Sequence, residues 1–406
     1  MLLIFSLLFY FCINIVYATE QTTESVLKAF REARGISRYN QCEILSCPDS
    51  TDGKIKKSTL TRDDVEKFLS KMRKNKKPIN ISDSLGKNLA GLDLSGLDFS
   101  NAAMYKVNLQ NAKLDNCNFT NTFLESSIFK DTSLKGTKFI DTNLGQADFT
   151  RADLQGTHFI NCFARNVVFA SSNLKGSKIV QTNFANSSFD NADLTMSKII
   201  NSKLTHSSFN NFRSVGMYWE LSNFSHSAFK NVTIGNSTLK AINCNDCILD
   251  TMTLTNSLMF ASNFENSQVS NFNMKNVQAE ATNFSNSKIN QMTAFGSSLK
   301  FALFLGSTIN NLDFKLSDLQ KINFSRADLQ NSNFSSTNLH DSNFYWSTLT
   351  NARINNSYLL FVNLSKSKLI DSEIYNSNLR KANLRMTKIK NTKSEGNLIE
   401  GMLVNN

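Results

Sequence analysis

Large apolar residues recur at every fifth position along most of the chain. From Leu89 to Val404, 64 positions fall on this spacing, and 57 of them are Leu, Ile, Phe, Met or Val. Two residues before each of these centres the chain is small, since 51 of the 63 sites from position 92 to 402 are Ala, Ser, Thr, Cys or Val. A period of five fits neither a helix nor a flat strand. It predicts a chain that turns a corner every five residues and points one large and one small side chain inward on each edge.

Corner residues follow the same register. The position two residues after each centre favours Gly, Asn or Asp, as at Gly91, Gly96 and Asn101. These residues tolerate the positive φ that tight turns need. Large residues replace small ones at intervals of twenty, and these are Phe212, Val232, Met252, Phe272, Met292 and Leu312. A spacing of twenty stacks them on one face, which predicts four five-residue edges in each coil.

Three segments carry a well-defined version of this repeat. Ala-Asp-Phe-Thr-Arg at 147–151, Ala-Asp-Leu-Gln-Gly at 152–156 and Ala-Asp-Leu-Gln-Asn at 327–331 resemble the A(D/N)LXX unit of pentapeptide repeat proteins. The resemblance covers residues 81–406 and implies an all-β solenoid, a right-handed quadrilateral β-helix with four pentapeptides per coil. The 64 units would make about sixteen coils. Such a rod is on the order of 75 Å long at the usual spacing of stacked strands.

Residues 1–18 are typical of a secretory signal peptide. The first seventeen residues are apolar apart from Ser6, Cys12 and Asn14, and Val-Tyr-Ala at 16–18 is a small-x-small cleavage site. We therefore expect cleavage between Ala18 and Thr19 and export to the periplasm or out of the cell. An uncleaved membrane anchor is the alternative, because this length is at the short limit of a membrane span. We expect no transmembrane span in the mature chain.

Residues 19–80 predict a small, basic helical cap. A helix should begin at Thr61, which with Asp64 has the spacing of a capping box. Its apolar face is formed by Val65, Phe68, Leu69 and Met72. We expect this face to cover the first coil near Leu92 and Leu97, which are large for their sites, because a solenoid must hide its terminal coils.

Two cysteine pairs have different expected roles. Cys42 and Cys47 lie in a loop of the cap region, where an exported protein is expected to form a local disulfide, with a reduced pair as the alternative. Cys244 and Cys247 form a Cys-x-x-Cys motif. Their register places Cys244 at a centre and Cys247 at a small inward site, so we expect core packing, with redox or zinc chemistry as the alternative.

The chain shows no sequence pattern that points to catalysis. His206 and His226 are twenty residues apart and should stack on adjacent coils, but no third ligand has matching spacing, so we expect a surface ladder rather than a metal site. No Gly-rich phosphate loop and no Gly-x-Ser-x-Gly motif occurs. We predict a non-enzymatic protein without a cofactor.

Charge separates the remaining function classes. The chain has 44 Lys+Arg and 33 Asp+Glu, a formal net charge of +11. An exported scaffold that binds a protein or a surface is the favoured reading, because solenoids offer extended faces and few pockets. The family resemblance also implies an alternative, a DNA mimic that modulates a type II topoisomerase. That activity uses an acidic rod inside the cell, so both the basic charge and the signal peptide oppose it. Nucleic-acid binding is not expected in an exported protein.

Outward apolar residues predict a partner-binding stripe. Most outward sites hold Asn, Ser, Thr or Lys, so apolar ones are informative. They share one third of the twenty-residue coil and are Ile140, Ile160, Val180, Ile200, Phe260, Phe301, Leu303, Leu305, Tyr345, Trp346, Leu360 and Phe361. Lys300 and Lys366 would add positive charge. The alternative for the Ile/Val members is simple stacking of β-branched side chains on a sheet.

The last residues predict a second contact surface. No cap sequence follows the final repeat, and apolar residues occur there even at outward sites. They are Leu398, Ile399, Met402, Leu403 and Val404. We expect either an apolar plug over the last coil or an end-to-end homodimer.

Overall fold

The computed structural model of the chain describes residues 59–404. From Leu60 onward these residues form one compact unit. The expected Ala18–Thr19 cleavage site and the expected Cys42–Cys47 disulfide lie outside the described residues. No helix within 59–404 has the length and apolar character needed to cross a membrane.

Helix α1, Arg62–Lys74, begins where the capping pattern predicts. The Thr61 side chain accepts a hydrogen bond from the Asp64 N–H, and the Thr61 N–H donates to the Asp64 carboxylate over 2.8 Å. This exchange satisfies two of the backbone donors that every helix start leaves without intrahelical partners. A short second helix, α2, spans Ile81–Ser84.

The apolar face of α1 packs on the first coil as predicted, whereas residues 19–58 of the predicted cap lie outside the described residues. The apolar face of α1 and the first coil share one core cluster, which includes buried Val65 and Leu69 and the partly buried Phe68, Met72, Leu92 and Leu97. Two arginines fasten the helix to the coil edge. Arg62 donates to the carbonyl of Asp93 over 3.2 Å, and Arg73 lies 3.2 Å from the Asp98 carboxylate.

The rest of the described chain is a parallel β-solenoid of about sixteen coils. Its strands are short because a corner interrupts each edge. They are β1 Ile79–Asn80, β2 Ala102–Ala103, β3 Lys138–Ile140, β4 His158–Ile160, β5 Lys178–Val180, β6 Lys198–Ile200, β7 Ser208–Asn210, β8 Arg213–Val215, β9 Tyr218–Glu220, β10 Ala228–Gly235, β11 Thr238–Lys240, β12 Ile248–Thr255, β13 Gln268–Lys275, β14 Lys288–Phe295, β15 Thr308–Asp313, β16 Asp328–Gln330, β17 Thr348–Thr350, β18 Lys368–Ile370, β19 Glu373–Tyr375, β20 Lys388–Lys390 and β21 Lys393–Glu395.

Pairing between coils keeps a register of twenty residues. One sheet runs from β7 through β10 and β12–β18 to β20, with β8 also on β10, and a second joins β3–β6, β9 and β11. All pairs in these sheets are parallel, as in Lys138↔His158 and Lys178↔Lys198. Isolated bridges carry the same register along the other edges, from Asn88↔Asn108 to Asn383↔Leu403. The predicted coil of four edges is therefore confirmed.

Aromatic centres form continuous stacks inside the rod. Phe99, Phe119 and Phe139 lie in successive coils with ring centroids 5.0 and 5.1 Å apart and nearly parallel planes. Their rings are fully buried. Stacked strands are separated by about 4.8 Å, so a Phe that recurs every twenty residues lies at ring-stacking distance from the Phe of the next coil.

Many inward Ser and Thr hydroxyls bond to the backbone of the preceding coil, although a few, such as those of Ser177 and Ser197, have no hydrogen-bond partner. Thr132 donates to the Leu109 carbonyl over 2.9 Å, and Thr142 donates to the Phe119 carbonyl over 2.7 Å. A buried hydroxyl without a partner would destabilise the fold, and this bond removes that cost. The small inward site can therefore be polar without opening the core to water.

Large residues at small sites alter the corner locally. Val232, Met252, Phe272 and Met292 are direct partners in neighbouring coils, within strands β10, β12, β13 and β14, which each run for eight residues. At Phe212 the following centre is the small Ser214, and both are buried. A close-packed core tolerates little change in total volume, so the large side chain compensates for the small one.

Candidate binding surfaces

The outward apolar residues near the C-terminal third gather on one side of the rod. We call Phe301, Leu303, Leu305, Tyr345, Trp346, Leu360 and Phe361 the aromatic stripe. Phe301 and Phe361 occupy equivalent corners three coils apart, since residues twenty apart are direct partners. Leu303 and Leu305 flank a centre on the adjoining edge, and Tyr345 takes the Leu305 position two coils later. Trp346 is half-exposed at 57%, and Phe361 at 45%.

Each aromatic ring of the stripe carries a cation from another coil. The Lys321 ammonium lies 5.4 Å from the centroid of Phe301, and Lys381 lies 5.1 Å from that of Phe361. Arg326 lies 5.8 Å from the Trp346 ring. Lys366 lies 5.4 Å from the Tyr345 ring and also donates to its hydroxyl over 3.1 Å. Attraction between a cation and the ring face holds these side chains in place.

The four cations were not predicted from the sequence, apart from Lys366. The rule of twenty could have found three of them, because Lys321 follows Phe301 by twenty, Lys381 follows Phe361 by twenty and Arg326 precedes Trp346 by twenty. Lys300, the other predicted contributor of charge, is neutralised instead. Its ammonium lies 2.9 Å from the Asp318 carboxylate, and that hydrogen bond raises the Lys300 pKa.

Three aromatic residues of the stripe occupy corners with left-handed backbone. The φ angles are 60° at Phe301, 58° at Trp346 and 60° at Phe361. Corners of this solenoid otherwise hold many Asn and Gly residues, which adopt this conformation readily. A bulky side chain there costs on the order of 1–2 kcal/mol. The sequence therefore places three exposed aromatic residues at positions where they destabilise the fold.

The Ile/Val members of the predicted stripe form a separate surface. Ile140, Ile160, Val180 and Ile200 are direct partners in strands β3–β6 and are half-buried. The next two positions of the line are Glu220 and Lys240, whose side chains form an ion pair at 2.8 Å. Phe260 lies beyond this pair. The single vertical stripe that the sequence suggested is thus interrupted by charge.

Cys244 and Cys247 are bonded to each other. Both are buried as predicted, and they form a disulfide with a Cα–Cα distance of 5.4 Å. The sequence pattern did not predict this disulfide, because it indicated only that the two cysteines pack in the core. The two residues face each other across one corner, and the corner sets their separation within disulfide range. Burial raises the pKa of the free thiols Cys117 and Cys162 to about 12, so both are unreactive.

Histidines and grooves offer no assembled catalytic centre within residues 59–404. His206 and His226 stack as predicted, with ring centroids 4.7 Å apart. No group of three or more His, Cys, Asp or Glu side chains in this range is placed to hold a metal ion. A shallow groove of about 570 Å³ near the C-terminal coils is lined mainly by Ser and Asn, and its carboxylate, Asp318, already bonds Lys300.

The C-terminal residues extend the solenoid instead of folding across its end. Leu398 and Leu403 pair with Asn378 and Asn383 in the usual register, which is not the arrangement of the expected plug. The inward centres of this last coil are consequently uncovered: Ile389 is 59%, Ile399 56% and Val404 51% exposed. Met402 remains partly buried against the core.

Comparison with known proteins places the repeat in a family. The pentapeptide repeat region model matches residues 102–179 and 142–219, and the model of pentapeptide repeats in eight copies matches 317–356 and 347–385. No curated protein sequence matches the chain.

Several solved structures are similar over part of the chain. A pentapeptide repeat protein from the thylakoid lumen of Arabidopsis thaliana is 29% identical, with 26% of this chain and 67% of that one covered and a TM-score of 0.16. HetL, a pentapeptide repeat protein involved in heterocyst differentiation regulation in the cyanobacterium Nostoc, is 14% identical over 82% of this chain and 92% of its own, with a TM-score of 0.11. QnrB1, a plasmid-mediated fluoroquinolone resistance protein, is 13% identical over 49% and 94%, with a TM-score of 0.18. Residues 102–219 and 317–385 thus match pentapeptide repeat families, and the coils between these two regions keep the same register of twenty residues.

Proposed function

We propose that this protein is an exported, non-enzymatic scaffold that binds a protein partner through the aromatic stripe. The observation that carries the proposal is the presence of Phe301, Trp346 and Phe361 at left-handed corners, half-exposed and each capped by a cation. Residues that strain the backbone persist where a function requires them. Tyr, Trp and Arg are also the side chains that dominate binding energy at protein interfaces.

The charge of the stripe favours an acidic partner surface. Four cations lie over its rings, and they are Lys321, Arg326, Lys366 and Lys381. Asp341 adds one carboxylate, at the corner one coil before that of Phe361. An apolar anchor of the partner would pack against the rings, while carboxylates around it would meet the cations. Such complementarity raises the association rate and excludes basic partners.

The test of the stripe is the double variant Trp346→Asn with Phe361→Asn. Asn adopts the left-handed corner conformation readily. At another corner of the rod, the Asn391 amide donates a hydrogen bond to the Asp371 carboxylate one coil below, over 3.0 Å. We expect the melting temperature to be unchanged or higher. We expect the variant to lose the partners that the wild-type protein captures from native extract, as identified by mass spectrometry.

A matched control uses bulky corner residues outside the stripe. Met196 and Leu316 also have left-handed backbone, with φ of 59° and 62°, and are 59% and 49% exposed. The double variant Met196→Asn with Leu316→Asn should gain stability in the same way and keep every partner. If the stripe variant retains the same partners as this control, or if it simply unfolds, the stripe is structural and the proposal fails.

Export rests on the N-terminal sequence and is supported by the Cys244–Cys247 disulfide, since such bonds persist in oxidising compartments. We expect N-terminal sequencing of the native protein to begin at Thr19. Peptide mapping without reductant should recover Cys244 and Cys247 as one linked peptide. An intact Met1 on soluble cytoplasmic protein would contradict export, and an intact Met1 in the membrane fraction would point to the anchor.

A topoisomerase-directed DNA mimic needs an acidic rod and a cytoplasmic location, so the net charge of +11 opposes that role.

We also propose that the uncovered C-terminal coil forms an end-to-end homodimer. Leu398, Ile399, Leu403 and Val404 are each 43–56% exposed on this end. A second copy of the same end would cover them by two-fold symmetry, as self-complementary surfaces do in most homodimers.

A further inference from the structure

Four stacked strands present an unpaired row of basic residues. Lys138, His158, Lys178 and Lys198 are the first residues of β3, β4, β5 and β6 and are direct partners in neighbouring coils. We call them the lysine–histidine row. The three lysines are exposed, and His158 is half-buried. Stacked strands are separated by about 4.8 Å, so the row places one basic side chain per coil along a straight line.

Some cations of the rod meet an acid in a neighbouring coil, as Arg151 meets Asp131 at 2.7 Å and Lys240 meets Glu220 at 2.8 Å. Within residues 59–404, none of the three lysines of the row has an ion-pair partner. Like charges directly opposite each other on parallel strands repel and destabilise the sheet. No ion pair from the described part of the chain therefore offsets the repulsion within the row.

The surroundings strengthen the positive charge on one side and add an apolar strip on the other. Lys175 lies across a corner from Lys178 and also lacks an acidic partner within residues 59–404. Gly176 forms the corner between them, with φ of 67°. No atom lies within 4 Å of the place where a Cβ would stand, so one ligand can approach both lysines from that side. Two residues after each member of the row stand Ile140, Ile160, Val180 and Ile200.

We propose that the lysine–histidine row binds an acidic polysaccharide, a linear chain with a carboxylate or sulfate on its sugar units, lying along the rod. A linear chain can reach all four coils at once. It carries a charge on each sugar unit, and the length of one unit is close to the spacing between stacked strands. The Ile/Val strip gives the apolar C–H faces of the sugars a surface to contact. The inference goes beyond the aromatic stripe and involves none of its aromatic residues.

The flanking rows distinguish this ligand from a nucleic acid. Proteins that bind single strands combine positive charge with aromatic side chains on which the bases stack. The rows on either side of the lysine–histidine row hold Ile and Val on one side, and Lys135, Gln155, Lys175 and Thr195 on the other. Neither row offers a stacking platform.

The test measures binding of the full chain to heparin and to polygalacturonate, with single-stranded DNA as a third probe. The variant Lys138→Ser, Lys178→Ser and Lys198→Ser removes the row. Its matched control, Lys288→Ser, Lys368→Ser and Lys388→Ser, removes three exposed lysines from the same position of strands β14, β18 and β20. Net charge falls equally in both. We expect the control to bind like the wild type, and the row variant to bind at least tenfold more weakly.

Salt dependence gives a second readout. Each lost contact to a linear polyanion lowers the slope of log affinity against log salt by roughly 0.7, so the row variant should lose about 2 from the slope. Equal weakening in both variants would mean that net charge alone acts, and the proposal would fail. It would also fail if neither polysaccharide binds, or if DNA binds more tightly than both. Lys178→Glu against Lys368→Glu repeats the comparison with single substitutions, should either triple variant fail to fold.

Discussion

At the scale of the residue, the corner position decides what a substitution costs. From Asn101 to Asn391 the non-glycine corners adopt φ near 50–60°, whether the side chain is Asn, Phe or Trp. The period of five predicted where these corners lie. The spacing of twenty also places Lys321 and Arg326 one coil from Phe301 and Trp346, but the contact of each cation with its ring depends on side-chain rotamers, which spacing does not give. The sequence therefore located the stripe but missed most of its charge.

His158 should make stability depend on pH. Partial burial and the neighbouring Lys178 and Lys138 lower its pKa below the ordinary 6.5. Between the lowered pKa and 6.5 the unfolded chain binds more protons than the folded one, so folding stability rises with pH in this window. We expect the melting temperature to fall as pH is lowered from 7.5 through this window, and the His158→Gln variant to lose part of that fall.

A bound polyanion should reverse the sign of this effect. Negative charge beside His158 favours its protonated form, and it also offsets Lys138 and Lys178. With heparin present, the wild-type protein should gain affinity as pH falls, and His158→Gln should gain less. Identical pH profiles for the two proteins, with and without heparin, would show that His158 takes no part in either effect.

At the scale of the coil, a large residue at one inward site can compensate for a small one at the next. Phe212 and Ser214 exchange the usual sizes of small site and centre, and both are buried. The extended strands β10 and β12–β14 were not predicted as such, because pairing across a corner depends on how a large inward residue reshapes the turn. The Cys244–Cys247 disulfide was not predicted for the same reason. The spacing predicted that both cysteines are buried, but not that they lie within bonding distance of each other across the corner.

Exchanging the two sizes tests this compensation. Phe212→Ser alone leaves a cavity and should cost about 3–5 kcal/mol. Ser214→Phe alone overfills the coil and should cost about 1–3 kcal/mol. The double variant restores the volume in the ordinary order of small site and centre, so it should recover much of the summed loss in urea unfolding. Losses that simply add would mean that the two sites do not share one volume.

At the scale of the whole molecule, the two ends of the rod are unlike. Helix α1 covers the first coil with Val65 and Leu69, which are 0% and 3% exposed. The last coil has no such cover among residues 59–404. Leu369 and Leu379 are buried one coil earlier at 1% and 3%, whereas their counterparts Ile389 and Ile399 are 59% and 56% exposed. The sequence predicted part of this difference, since the apolar face of α1 indicated a cover for the first coil.

A charged residue at the bare end should separate the proposed homodimer. Ile399 points inward in a coil that no residue of 59–404 covers, so Ile399→Lys places an ammonium in the two-fold contact, where it meets the ammonium of the second copy. We expect light scattering to report a dimer for the wild type and a monomer for the variant, with little change in melting temperature measured at low protein concentration. Ile248→Lys is the matched control, because Ile248 is 40% exposed on the side of the rod, at the start of β12, away from either end. It should remain dimeric. A wild-type protein that is monomeric at all concentrations would contradict the end-to-end contact, and a dimer that survives Ile399→Lys would place the interface elsewhere on the rod.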